Sequence, residues 1–318
     1  MPQDPMTCLI LGGGGARGLS HLGVLQVLER NGVRIDCVVG TSVGAVVGSA
    51  YALELDAKRV TQQAEEYFKS EEFRHKPFQQ LVLRSKDAEG SFFRNIFSNV
   101  RKGYVFSNLL RKRSILSGER LADMIADLVP DRTFADTKLP FAVPALDVRS
   151  GEEVLLESGP LRPSVLASCS LPGFFPPVEV DGRILVDAGT IVPNPVALSK
   201  ERFRPTVTIA VDICSAVEPY TEEATGLELL LRVDSFACRR GNEQELSHAD
   251  VVIRPDVGQQ YWSDFSDFDG LVAQGAFAAE AKLEELLAAQ ASPVLATAAE
   301  EESDEPPFWQ RVLRSLKG

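Results

Sequence analysis

Residues 6–55 read MTCLILGGGGARGLSHLGVLQVLERNGVRIDCVVGTSVGAVVGSAYALEL, and the punctuation of this stretch decides the fold. Met6 to Leu11 is a short apolar run that suits a buried strand. Four glycines, Gly12 to Gly15, then break it. Leu19, Leu22, Val24, Leu25 and Leu28 recur at helical spacing until Asn31-Gly32, a helix-ending pair. Val33 to Val39 reads as a second strand, Gly40 to Gly44 as a tight turn, and Ala45 to about Leu55 as a second helix. Strands alternating with helices of this length predict an α/β fold, with a parallel sheet covered on both faces.

Outward from this stretch, Thr61 to Ser117 is irregular and rich in Phe and Arg, which predicts an insertion or cap. Strands are expected again at Phe141–Val148 and Glu153–Glu157, joined by a hairpin turn at Ser150-Gly151. A small helix at Arg162–Ser168 leads to a strand at Arg183–Val186. Further strands are read at Val207–Val211 and Val251–Ile253, with a long helix, Gly226 to Leu246, between them. A last helix is read from Leu271 to Ala289. The domain is therefore expected to span 6–290, followed by an acidic linker, 291–307, and an amphipathic segment, 308–318.

The 318 residues carry 33 Lys+Arg against 45 Asp+Glu, a formal net charge of −12, with 44% hydrophobic and 25% charged residues. Those proportions exclude a largely disordered chain and a multi-span membrane protein. The acidic balance makes nucleic acid an unexpected partner, since phosphate binding needs a basic face. Five widely spaced cysteines with no C-x-x-C predict free thiols rather than a disulfide framework or a zinc site. The N-terminal residues have no basic segment ahead of a long apolar run, so a cytoplasmic protein is expected.

Gly13, Gly15 and Gly18 satisfy G-x-G-x-x-G between a strand and a helix, the fingerprint of dinucleotide binding. Backbone N–H groups converging in such a loop suit negative charge, whether a bound phosphate or a transient oxyanion. The following strand separates the two readings. A dinucleotide fold wants an acidic residue at that strand's C-terminal end, yet Asp36 precedes the apolar Cys37-Val38-Val39. Gly40-Thr41-Ser42-Val43-Gly44 comes next, a G-x-S-x-G between strand and helix. There the flanking glycines permit a sharp turn that lifts a serine oxygen clear of the sheet. Ser42 is thus the candidate nucleophile.

A serine hydroxyl needs a base. His21 lies a turn past the glycine loop, where packing or solvation explains it, and His75 lies in the irregular insertion. His248 would complete the chain order Ser…Asp…His of an α/β-hydrolase, but such enzymes place several strands before the elbow. Asp187, in Leu185-Val186-Asp187-Ala188-Gly189, follows an apolar strand and precedes a small-residue turn, where its carboxylate can reach across the sheet edge. Burial would raise its basicity enough for a direct Ser–Asp contact to serve. Capping of the next turn is the alternative role for Asp187.

Together these blocks resemble the patatin-like phospholipase family, particularly its short bacterial members. The matching blocks are Gly13-Gly14-Gly15-Ala16-Arg17-Gly18, Gly40-Thr41-Ser42-Val43-Gly44 and Asp187-Ala188-Gly189. Ala167-Ser168-Cys169-Ser170-Leu171-Pro172 and Phe175-Pro176-Pro177 also look like the family's approach to its aspartate. The resemblance covers about residues 6–290. It implies a three-layer α/β/α, patatin-like (acyltransferase/lysophospholipase-like) fold with a mostly parallel central sheet. It implies a Ser42–Asp187 dyad, an oxyanion hole from Gly13, Gly14 and Gly15, and Arg17 and Gly18 supporting that loop. Gly40 and Gly44 would flank the elbow. The implied reaction is hydrolysis of fatty acyl esters of phospholipids or lysophospholipids through an acyl-enzyme, with no cofactor and no metal. The family usually has Asp-Gly-Gly or Asp-Gly-Ala, whereas this chain carries a side chain at Ala188.

Two segments suggest peripheral contact with an anionic membrane surface, on the inner face of the membrane for a cytoplasmic protein. Between Gly90 and Gly118, Arg94, Arg101, Lys102, Arg111, Lys112 and Arg113 alternate with Phe92, Phe93, Phe97, Tyr104 and Phe106, with no Asp or Glu. A solvated cap with an apolar underside fits the same pattern. Phe308, Trp309, Val312, Leu313 and Leu316 share one helical face in the tail, near Arg311, Arg314 and Lys317. Two further readings remain open. One is a lipid- or acyl-binding regulatory protein that turns over slowly or not at all, and the other a nucleotide-dependent oxidoreductase.

Overall fold

The computed structural model describes residues 6–71, 73, 114, 116–214, 220, 222, 226–258, 260 and 262–291. The basic and aromatic stretch up to residue 113, His75 and the segments after 291 lie outside the described residues. In chain order the elements are β1 (Thr7–Leu11), α1 (Ser20–Arg30), β2 (Cys37–Gly40), α2 (Val43–Glu54), α3 (Ala57–Phe68) and α4 (Gly118–Leu128). Then come β3 (Phe141–Asp147), β4 (Glu153–Leu156), α5 (Leu161–Ser168), β5 (Val178–Val180) and β6 (Arg183–Asp187). The last are α6 (Val196–Phe203), β7 (Val207–Val211), α7 (Gly226–Leu246), β8 (Val251–Ile253), α8 (Phe268–Ala281) and α9 (Leu283–Ala291).

The eight strands form one sheet, hydrogen-bonded in the order β5-β6-β3-β2-β1-β7-β8, with β4 joined to β3. The five strands β3, β2, β1, β7 and β8 are mutually parallel, while β4, β5 and β6 add antiparallel pairs. Every residue of β1 is buried, as a central strand between two helical layers requires. Its alternation sorts the core. Leu9 and Leu11 pack with α1, α2 and α8, whereas Cys8 and Ile10 pack with Val196 of α6 and Leu246 of α7. The molecule is thus a three-layer α/β/α sandwich, as the resemblance implied. None of its described helices is long and apolar enough to cross a membrane.

One local feature of β3 positions the site. Val38 of β2 donates to the Pro140 carbonyl, and farther along Val148 donates to Ile184 of β6, while Asp147 donates to Glu152 on the β4 side. Successive residues of a strand bond to opposite edges, so positions 140 and 148 use the same edge and 147 the other. β2 and β6 therefore meet β3 along one edge, in tandem, β2 at Phe141–Ala142 and β6 at Ala145–Asp147. Pro144, which has no N–H to offer, falls in the gap between them. β2 runs into this gap and β6 runs into it from the other direction.

Three expectations are corrected. Val33–Asp36 is not strand: the Val33 N–H bonds to Leu28 and the Gly32 N–H to Glu29, a helix-closing pair with Gly32 at φ +67°, so Val33 finishes α1 rather than pairing with β1. The irregular segment does not begin at Thr61, because α3 continues to Phe68. The Asp56 side chain caps α3 by accepting from the Arg59 N–H at 2.8 Å. The final helix is two helices, α8 and α9, parted at Lys282.

Candidate active site

Ser42 sits between β2 and α2 with φ +54° and ψ −120°, a left-handed conformation that a serine adopts only under constraint. The glycines around it supply the constraint. A Cβ at Gly40 would overlap the Gly44 carbonyl oxygen, and one at Gly44 would overlap that of Leu11. The turn is therefore closed against both α2 and the end of β1, and the half-buried serine projects from the sheet's C-terminal edge. Its N–H donates to Ser168 Oγ at 2.9 Å, a contact that ties the elbow to the end of α5, which packs beside α2 in the same layer.

Asp187 ends β6 and is 5% exposed. Burial raises its carboxyl from the ordinary 3.8 to about 6, and hydrogen bonds from the Ser42 hydroxyl and the Gly189 amide pull the other way. The Gly189 N–H reaches Asp187 Oδ1 at 2.8 Å, so the carboxylate also caps the short helical turn Ala188–Thr190. The capping role weighed for Asp187 is thus present, alongside its interaction with Ser42. Ala188 is buried in this turn and is not among the residues with positive φ, so a methyl group is accommodated where glycine is usual. Cys169 shares the site. Burial and the nearby Asp187 charge push its thiol pKa well up, with Ser42 pulling the other way, so it stays protonated at neutral pH.

The glycine loop lies alongside. A Cβ at Gly13 would come within 3.5 Å of the Ser42 Cβ, so the loop backbone approaches Ser42 directly. The Gly13 N–H donates to the Pro193 carbonyl at 3.2 Å and the Ala16 N–H to that of Trp262. No acceptor among the described residues pairs with the amides of Gly14 and Gly15. Arg17 Nε donates to the Gly14 carbonyl at 2.9 Å, and burial lowers the guanidinium pKa against the opposing influence of Cys214 and Asp212. In a planar trans peptide the C=O and the following N–H point in opposite directions. Holding the Gly14 carbonyl toward Arg17 therefore turns the Gly15 N–H away from it. A Cβ at Gly18 would strike the Val43 side chain, so this glycine lets the loop's helix close on α2.

Of the histidines, His21 is fully buried with Nε2 at 2.9 Å from the Gly12 carbonyl, and burial lowers its pKa to about 4. It is neutral, donates to the loop and fixes it. His248 is exposed, just before β8 begins, at the sheet end opposite Ser42. Asp36 lies at the start of β2, where it accepts from the Thr7 N–H at 2.7 Å and Arg34 Nε at 2.9 Å. It is remote from the glycine loop and unable to serve a ribose there. No group of three or more metal-ligating side chains occurs among the described residues. All five cysteines are free thiols.

Sequence reasoning did not assign roles to Ser168 and Cys169, although both stand in the quoted Ala167–Pro172 block. Nor did it find the buried cluster of Asp212, Asn194 and Asn242, in which Asp212 Oδ1 accepts from both amides, at 3.4 and 3.2 Å. An acidic residue directly after the apolar run Val207–Val211 was the available signal.

The comparisons with known proteins bear on this geometry. An uncharacterized NTE family protein of Mycobacterium bovis is 31% identical over 225 residues, covering 70% of this chain and 51% of that protein. Human patatin-like phospholipase domain-containing protein 6 is 32% identical over 212 residues, covering 66% of this chain and 13% of the human one. The chain thus spans about half the length of the mycobacterial relative and a smaller share of the human one. Among solved structures, VipD from Legionella pneumophila superposes with a TM-score of 0.44 at 14% identity, covering 90% of this chain and 67% of VipD. Human GIVD cytosolic phospholipase A2 in complex with methyl γ-linolenyl fluorophosphonate gives 0.44 at 14% identity, covering 91% and 60%. The family model described as patatin-like phospholipase matches residues 9–198, a span that takes in the glycine loop, the Ser42 elbow and the Asp187 turn. On that match the chain belongs to the patatin-like phospholipase family.

Proposed function

We propose that the protein is a serine acyl hydrolase that cleaves fatty acyl esters of phospholipids or lysophospholipids, with Ser42 as nucleophile and Asp187 as its only base. The carrying observation is a serine held at φ +54° against a buried carboxylate whose pKa burial raises and the serine lowers. Ser42 Oγ attacks the ester carbonyl carbon while its proton passes to Asp187. The carbonyl oxygen becomes an oxyanion facing the amides of Gly14 and Gly15, and loss of one such donor costs about 3 kcal/mol in the barrier. Gly13, whose amide is engaged by Pro193, contributes by leaving room for the substrate carbonyl beside Ser42. Collapse breaks the ester C–O bond, and the leaving alcohol takes the proton from Asp187. Water then attacks the acyl-enzyme and gives its proton to the same carboxylate. Release of the fatty acid returns that proton to Ser42.

Intact-mass measurement after fluorophosphonate treatment tests this reading. Wild type is expected to gain a single adduct, Ser42→Ala none, and Asp187→Asn one that forms slowly. Folded wild type that gains no adduct would point instead to an acyl-binding protein without turnover.

A further inference from the structure

Helix α7 is built differently from the other helices. Its inward face is made by Ser235, Cys238, Asn242 and Leu246, which are buried or half-buried. Cys238 Sγ contacts the Gly189 carbonyl at 3.8 Å, one residue beyond Ala188 in the catalytic turn. Leu246, at the other end, packs in the core beside Ile10. The opposite face is apolar and exposed: Leu229 42%, Leu230 66%, Val233 64% and Phe236 47%. Leu229, Val233 and Phe236 follow the i, i+4, i+7 spacing of a single helical stripe. Scattered exposed apolar residues are ordinary on a protein surface, but a continuous stripe beside a site marks an interaction surface.

Geometry locates the stripe. α7 has 21 residues, about 31 Å, beside the five-residue β7, about 17 Å. The helix returns from the C-terminal end of β7 to the N-terminal end of β8, and Cys238 is level with the turn that follows Asp187. Residues 226–237 therefore rise about 18 Å beyond the level of the dyad. The stripe lies on this overhang, and Ile191, whose carbonyl approaches Gly241 just below it, is also 47% exposed.

Charge identifies the occupant. In a chain of net charge −12, Arg232, Arg239 and Arg240 flank the stripe, and the Arg232 guanidinium lies 5.0 Å from the Phe236 ring centre and 5.9 Å from that of Tyr220. Apolar side chains bordered by arginines match an anionic lipid interface, with acyl chains below and headgroup phosphates beside.

We propose that the N-terminal half of α7 is the docking surface by which the enzyme sits on an anionic phospholipid membrane, with the mouth of the Ser42 site facing the lipid. The choice of a lipid surface rests on the acyl-hydrolase reading and adds how substrate is reached. The test uses the full chain carrying Ser42→Ala, so that vesicles survive, with and without the triple change Leu230→Ser, Val233→Ser and Phe236→Ser. Flotation with phosphatidylcholine–phosphatidylglycerol vesicles is expected to weaken about tenfold or more in the triple variant. In the background with Ser42 intact, the triple variant is expected to hydrolyse monomeric p-nitrophenyl butyrate at the wild-type rate while its rate on vesicles falls by a similar factor. A second variant, Arg239→Glu with Arg240→Glu, leaves the apolar stripe intact and is expected to lose affinity for the anionic vesicles. Equal flotation with and without the triple change overturns the proposal. So does a wild-type dimer that the triple change dissolves, which would make the stripe a self-association face. Absence of Ser42-dependent butyrate turnover, with flotation still sensitive to the stripe, would sink the hydrolase reading alone.

Discussion

Burial gives the Asp187 carboxyl the basicity that the proposed proton transfer needs, and the same burial makes its ionised form costly to the fold. Folding raises this pKa from 3.8 to about 6, so proton binding is linked to the folded state. Its contribution to stability is full below about pH 4 and is given up as pH climbs through 6. Two outcomes are expected. Turnover of a soluble ester should rise with pH through about 6, as Asp187 loses its proton; a flat profile from pH 5 to 8 would remove Asp187 as base. Asp187→Asn should abolish turnover yet raise the stability measured by urea unfolding at pH 7.5, by an upper bound of about 3 kcal/mol, with the gain vanishing near pH 4. A destabilised Asp187→Asn at pH 7.5 would show that the carboxylate's contacts outweigh its desolvation. Ser42 and Asp187 could be singled out because each stands in a local pattern, a glycine-flanked turn and a strand end. Ser168 and Cys169 could not be given roles, because each meets Ser42 only after α5 has packed, and nothing local announces that meeting.

Among the elements, α1 and α8 pack by backbone contact. A Cβ at Gly23 would overlap the Val272 carbonyl oxygen, and one at Gly275 the Ser20 carbonyl oxygen. Gly275→Ala is therefore expected to push the helices apart and cost about 1–3 kcal/mol, despite the better helix propensity of alanine. Thermal unfolding of the variant measures it, and an unchanged or higher Tm would refute the close packing. The elements best legible from sequence were the short apolar strands β1, β7 and β8, since they pack mostly buried and read as continuous apolar runs. Elements were misjudged where a partner decides. Val33 could extend a strand or close a helix, and only the Gly32 conformation selects the second. α3 carries a cap and spaced apolar residues, but its many charges mask the face that packs on α1.

For the whole molecule, the order of parallel strands follows from alternating elements, whereas the antiparallel wing of β4, β5 and β6 depends on long-range pairing that no local pattern encodes. The proposed domain, 6–290, contains both members of the proposed dyad and the glycine loop. A chain ending at Ala291 is expected to retain Ser42-dependent turnover of p-nitrophenyl butyrate within about twofold, since the described contacts of the site are made within 6–290. A large loss in a folded truncate would mean that the tail completes the site.

Strand β3 has one further consequence. Because β2 and β6 dock in tandem on one edge of it, the distance between the proposed nucleophile and base is counted out in residues of β3, from Ala142 to Ala145. β3 acts as a ruler. Adding one residue there would separate the two side chains by about 3.3 Å, enough to end direct proton transfer, and would also invert which face each neighbour presents. No described residue between α2 and β3 lies in a strand that pairs with β3, so the length of that stretch is not counted in the spacing of the proposed dyad.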